Sequence, residues 1–121
     1  MTVADVLSPV EIETRIGDVA NRIAKGVQVV SERHREFLDA DRAYDQAVAR
    51  AYLAADDLPA HARKYQAELA TAREREARDV AEVAYQYARA HARALEDQLR
   101  ALQSVGASIR TAYSVAGAGE R

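Results

Sequence analysis

The chain has no cysteine and no tryptophan, a single phenylalanine, and only two prolines and five glycines in 121 residues. Without cysteine, disulfides, thiolate nucleophiles and cysteine-bearing zinc sites are excluded. No apolar run approaches the ~20 residues that cross a bilayer. The opening Met1-Thr2-Val3-Ala4-Asp5 has neither a basic nor an apolar leader segment, so a cytoplasmic protein with no membrane partner is the expectation. Charge of one sign is also lacking. Seventeen basic residues face 19 acidic ones, a net charge of −2, which argues against a general polyanion binder.

Catalytic patterns are missing in the same way. There is no Gly-rich phosphate loop, no His-Glu-x-x-His, and no Glu-x-x-His of the kind that di-iron bundles use. His34, His61 and His91 are far apart, and no serine has a base as its neighbour. No enzyme activity, cofactor or metal is expected.

What the chain has in quantity is alanine, roughly a fifth of all residues, which inflates the 49% hydrophobic content. Arginine outnumbers lysine 15 to 2, a bias that fits GC-rich coding. An alanine-rich core buries little area per residue, so the hydrophobic stabilisation it supplies is small.

The start of a first helix is written in full. Ser8 is the N-cap, Pro9 takes N1 and Glu11 takes N3, a capping box, with Leu7 and Ile12 at staple positions. Residues 1–8 form the lead-in and helix 1 runs over 9–55. Ile16, Ile23, Val30, Phe37, Tyr44 and Ala51 recur every seven residues as one packing seam. A companion series, Ile12, Val19, Gly26, Arg33, Ala40 and Ala47, weakens at Arg33.

Asp56-Asp57-Leu58-Pro59 is the sharp break in the pattern. The two aspartates read as cap and turn residues, and the turn covers 56–58. Helix 2 then runs over 59–114, and a flexible tail over 115–121. On helix 2, Leu58, Leu69, Val80, His91, Leu102 and Tyr113 recur every eleven residues, as do Tyr65, Glu76, Tyr87, Gln98 and Ile109. That period predicts a straight or faintly right-handed helix. Leu95, Leu99, Leu102 and Ile109 complete the predicted seam. Gly17, Gly26 and Gly106 read as points of close helix approach. Tyr44, Tyr52 and Tyr65 fall near the turn, as the core of that end or as a tip that binds a partner.

The architecture that follows is all-α, a long antiparallel two-helix hairpin resembling a coiled coil. From Pro9 to Asp57 there are 7 basic and 10 acidic residues, and from Leu58 to Tyr113 there are 9 and 7. The two helices therefore complement each other in charge. A hairpin leaves part of each apolar stripe uncovered, which predicts assembly into a four-helix bundle or larger oligomer, with a dimer favoured.

Arg42-Ala43-Tyr44 through Tyr65, together with Ala94-Leu95-Glu96-Asp97-Gln98-Leu99-Arg100-Ala101-Leu102-Gln103-Ser104, resembles small helical proteins of phages and prophages of GC-rich actinobacteria. Some of those sit near recombination genes. The resemblance implies a phage-encoded helical protein. The WxG-type helical hairpins are excluded by the missing tryptophan. The expected function is a non-enzymatic interaction or adaptor protein whose partner is itself, or another protein. The alternative is an accessory factor that binds single-stranded DNA or recombination and replication proteins. For that reading, Arg78, Tyr85, Arg89, Arg93 and Arg100 form the candidate nucleic-acid face, interrupted by Glu82, Glu96 and Asp97.

Overall fold

The computed structural model of the chain describes residues 8–119. Regular structure among them is entirely α-helical. Helix α1 spans Pro9–Ala54, α2 Ala60–Ala70 and α3 Ala72–Gly119. The long helices α1 and α3 pack against each other, so the fold is an all-α helical hairpin. Its packing divides into two compact units. One joins α1 up to Val27 to α3 from Ala90; the other runs from Gln28 to Arg89.

The capping box is formed. The Ser8 N–H donates to the Glu11 carboxylate at 3.2 Å, and the Glu11 N–H donates to the Ser8 hydroxyl at 3.2 Å. The Ile12 N–H closes the first turn on the Ser8 carbonyl at 3.0 Å. Two of the donors that every helix start leaves orphaned are thereby satisfied. Leu7, the other half of the expected staple, lies outside the described residues.

In the first unit the tightest packing is at Ile12, which is 1% exposed, with Val19 and Leu95 also buried. A Cβ placed on Gly106 would stand 3.6 Å from Ile12 Cγ2, so α3 comes close to α1 there. Gly17 and Gly26 differ from the reading above. Nothing lies within 4 Å of a Cβ at either, and close approach is confined to Gly106 among the three.

In the second unit, the turn is held by an arginine and not by the aspartates. Arg63 donates from Nε to the Leu58 carbonyl at 2.6 Å and from its terminal nitrogen to the Asp56 carbonyl at 2.8 Å. Pro59 itself occupies the N-cap of α2, with no side-chain cap. Its carbonyl accepts the N–H groups of Ala62 and Arg63, both at 2.9 Å. Proline suits this place because its missing N–H is not needed.

The helix read over 59–114 is two helices. Thr71 is 2% exposed, and its hydroxyl donates to the Ala67 carbonyl at 2.7 Å. That carbonyl is the one the Thr71 N–H meets in a regular helix. The N–H instead reaches the Glu68 carbonyl, at 3.4 Å. Such a back-bond bends helices, but Thr14 and Thr111 make the same bond to the carbonyls of Val10 and Ala107 inside unbroken helices, so at Thr71 it accompanies the break and does not alone account for it. At the other end α3 continues past 114 to Gly119. Glycine costs a helix only about 1 kcal/mol, and no proline follows to stop it. Residues 120–121 of the expected tail lie outside the described residues.

Candidate interaction surface

Burial along α1 follows the predicted heptad. Ile16 and Ile23 in the first unit, and Val30, Phe37 and Tyr44 in the second, are all partly buried, while Arg33 is exposed. Arg33 pairs locally with Glu36 at 3.0 Å. These seam residues pack within the chain. Phe37 stacks towards Tyr85 with ring centroids 6.1 Å apart, and Tyr44 lies under Arg78.

The second helical segment follows a heptad too, not the eleven-residue period. Its inward series in the second unit is Ala67, Thr71, Glu74, Arg78, Ala81, Tyr85 and Ala88. In the first unit the series continues through Ala92, Leu95, Leu99, Leu102, Gly106 and Ile109. The predicted Leu95, Leu99, Leu102 and Ile109 belong to it. The rest was hidden because its members are small or polar. Ala67 and Ala88 are fully buried, yet carry little hydrophobic weight.

Two members of the candidate nucleic-acid face sit in this seam. Tyr85 stacks on His34, with centroids 4.6 Å apart and planes 17° from parallel. The Arg78 guanidinium lies 4.7 Å from the Tyr44 ring centroid, 3.1 Å from Asp79 and 3.9 Å from Asp41. The hydrogen bond that Arg78 donates to Asp79 holds the Arg78 pKa above its ordinary value, and partial desolvation opposes this. The charges of Asp79, Tyr44 and Asp41 add to the rise. Arg78 thus ties α3 to α1 through Asp41.

The other members lie outside. Arg89 is exposed, 5.5 Å from the Tyr85 ring centroid. In the first unit Arg93 and Arg100 are exposed, and Arg100 is paired with Asp97. Arg78 and Tyr85 are thus taken up by contacts with α1, while Arg89, Arg93 and Arg100 remain exposed.

A different outer surface is present in the second unit. Tyr65, Leu69, Val80, Val83 and Tyr87 are between 63% and 77% exposed. Their spacing, with Ala72 and Glu76 in sequence between them, repeats in steps of four and three. Each lies two positions, ~200° of helix rotation, from an inward residue: Tyr65 from Ala67, Leu69 from Thr71, Val83 and Tyr87 from Tyr85. The segment thus carries two stripes on opposite sides. One faces α1 and the other faces solvent. A groove of about 460 Å³ runs along the outer stripe, lined by Tyr65, Glu68, Leu69, Ala72, Arg75, Glu76 and Asp79. The tyrosines near the turn are split accordingly, with Tyr44 and Tyr52 partly buried and Tyr65 outside.

The eleven-residue spacing finds its meaning here. Tyr65, Glu76 and Tyr87, and likewise Leu69 and Val80, are successive members of the predicted series, and all lie on the outer stripe. In the second unit this spacing marks the exposed face, whereas Leu102 and Ile109, later members of the same two series, belong to the inward row of the first unit.

Among the described residues, no group of three or more His, Asp or Glu is placed to hold a metal ion. No helix among them is long and apolar enough to cross a membrane. No family model, curated protein or solved structure matches the chain.

Proposed function

We propose that this chain is a non-enzymatic helical interaction protein of the cytoplasm that works as a homo-oligomer, with a dimer favoured. The observation that carries the proposal is the outer stripe Tyr65–Tyr87. Isolated exposed apolar residues are ordinary, but five large ones recurring on the solvent side of α2 and the first part of α3 mark a binding surface. The intrachain seam adds weight. The buried hydrophobic residues of the second unit, Ala55, Ala67 and Ala88, are all alanines, and five of the large apolar side chains of α2 and α3 there are exposed. We extend the proposal to a phage or prophage origin on the sequence resemblance.

Light scattering at micromolar concentration is the test. The expected mass is an integer multiple, two or more, of 13.3 kDa. A monomer with cooperative melting would overturn the proposal. Fluorescence anisotropy with a single-stranded oligonucleotide separates the alternative function. No complex tighter than micromolar is expected near physiological salt. A nanomolar complex abolished by Arg89→Glu together with Arg93→Glu would replace self-association with nucleic-acid binding as the primary role.

A further inference from the structure

The outer stripe is symmetric about one residue. Tyr65 and Tyr87 each lie eleven positions from Glu76, Leu69 and Val83 each lie seven, and Ala72 and Val80 each lie four. We infer that this stripe is the contact surface for a second copy of the chain, docked antiparallel across a two-fold axis at Glu76. The inference rests on the self-association proposed above and specifies its surface and direction.

A two-fold contact uses the same patch on both partners, so residue i meets j and j meets i. With the axis at Glu76, Tyr65 of one copy meets Tyr87 of the other at both ends. Leu69 meets Val83, and Ala72 meets Val80. Every apolar position finds an apolar position, and the small Ala72 receives the larger Val80. A parallel pairing would instead put Ala72 against Ala72 and leave a gap at that level.

The charges near the axis agree. Glu76 faces its own copy, a repulsive pair if nothing intervenes. Arg75 and Asp79 line the groove beside it. The symmetry brings Arg75 of each copy level with Ala77 of the other, one residue from Glu76, and sets Arg73 level with Asp79, so each of these carboxylates has an arginine near it from across the interface. The area is also adequate. The five large side chains expose on the order of 600 Å² per copy, near the ~800 Å² per partner of an ordinary stable interface.

The absence of cysteine makes the test direct, because every introduced thiol is unique. Tyr65→Cys and Tyr87→Cys are purified separately, unfolded together, refolded as a mixture and mildly oxidised. Within an antiparallel pair, two copies of residue 65 stand ~33 Å apart, too far for a disulfide. Neither variant alone is expected to form a covalent dimer, whereas the mixture forms one, and Glu76→Cys forms one by itself. Both substituted tyrosines are exposed, so the helices themselves are untouched.

A second measurement uses the dissociation constant. Val83→Glu is expected to weaken the dimer by about a hundredfold, since two carboxylates enter an apolar contact. Covalent dimers from Tyr65→Cys alone, or a dimer indifferent to Val83→Glu, would overturn this surface while leaving self-association standing. A wild-type chain that remains monomeric would overturn both.

Discussion

The glycines of the two long helices give a set of substitutions whose signs differ for stated reasons. Gly→Ala in a helix interior is favourable by about 1 kcal/mol, because glycine loses more backbone freedom on folding. At Gly17 and Gly26 nothing stands within 4 Å of the new methyl group, so the whole propensity gain is expected to appear. The pair should add, giving about 2 kcal/mol and, for a chain of this size, a rise of roughly 8 °C in Tm. At Gly106 the new Cβ meets Ile12 Cγ2 and an Arg110 guanidinium nitrogen at 3.6 Å, and Ile12 Cγ1 at 3.8 Å. These are ordinary van der Waals distances, each worth ~0.1–0.2 kcal/mol, so Gly106→Ala should stabilise as well. Gly106→Leu should not. Its further carbons must displace Ile12, which has no room to give, and overpacking of that kind costs about 1–3 kcal/mol. Thermal melts followed by far-UV circular dichroism are the assay, at one fixed chain concentration because association contributes to stability. A loss of stability in Gly106→Ala would refute the placing of Ile12. A loss at Gly17 or Gly26 would mean that the open space there is filled by a second copy, against the stripe argued above.

Two further predictions follow from hydrogen-bond accounting. Ser8→Ala removes the hydroxyl that accepts the Glu11 N–H and should cost about 1 kcal/mol; an unchanged Tm would show that α1 does not depend on its capping box. Glu74→Leu should stabilise by about 1 kcal/mol, because one carboxylate oxygen of Glu74 is buried with no hydrogen-bond partner among the described residues. That burial penalty, about 1–3 kcal/mol, outweighs the ~0.3–1 kcal/mol an acidic residue gains in the first turn of α3. Chemical denaturation of the variant checks it, and a destabilised Glu74→Leu would refute the accounting.

How legible the fold was in the sequence depended on side-chain size. On α1 the inward residues are Ile12, Ile16, Val19, Ile23, Val30 and Phe37, large and apolar, and the heptad could be read directly. On the second segment the inward residues near the turn are Ala67, Thr71, Glu74, Arg78, Ala81 and Ala88, and a reader looking for apolar weight passes over them. The eye goes to Tyr65, Leu69, Val80 and Tyr87, which are on the other side. The break at Thr71 was not legible either, because Thr14 and Thr111 carry the same side chain and make the same bond to residue i−4 without interrupting their helices. The inward placing of Arg78 and Tyr85 was hidden for a related cause. Arginine and tyrosine are usually assigned to solvent, but Arg78 and Tyr85 fill seam positions, where Asp41, Tyr44, His34 and Phe37 receive them.

The same inversion bears on why this segment would self-associate. A seam of alanines lets two helices pack, but it removes little apolar surface from water. Tyr65, Leu69, Val80, Val83 and Tyr87 then lie largely exposed. Their free energy is realised only when the face is covered. A second copy covers it with the same row of residues, and the symmetry of the row about Glu76 lets large meet small and arginine meet carboxylate. Folding and assembly in such a chain use different faces of one helix. Substitutions on the outer face, such as Val83→Glu, should therefore change the dissociation constant while the helix content of the dissociated chain stays the same. Substitutions on the inner face, such as Glu74→Leu, should change the melting of the dissociated chain first.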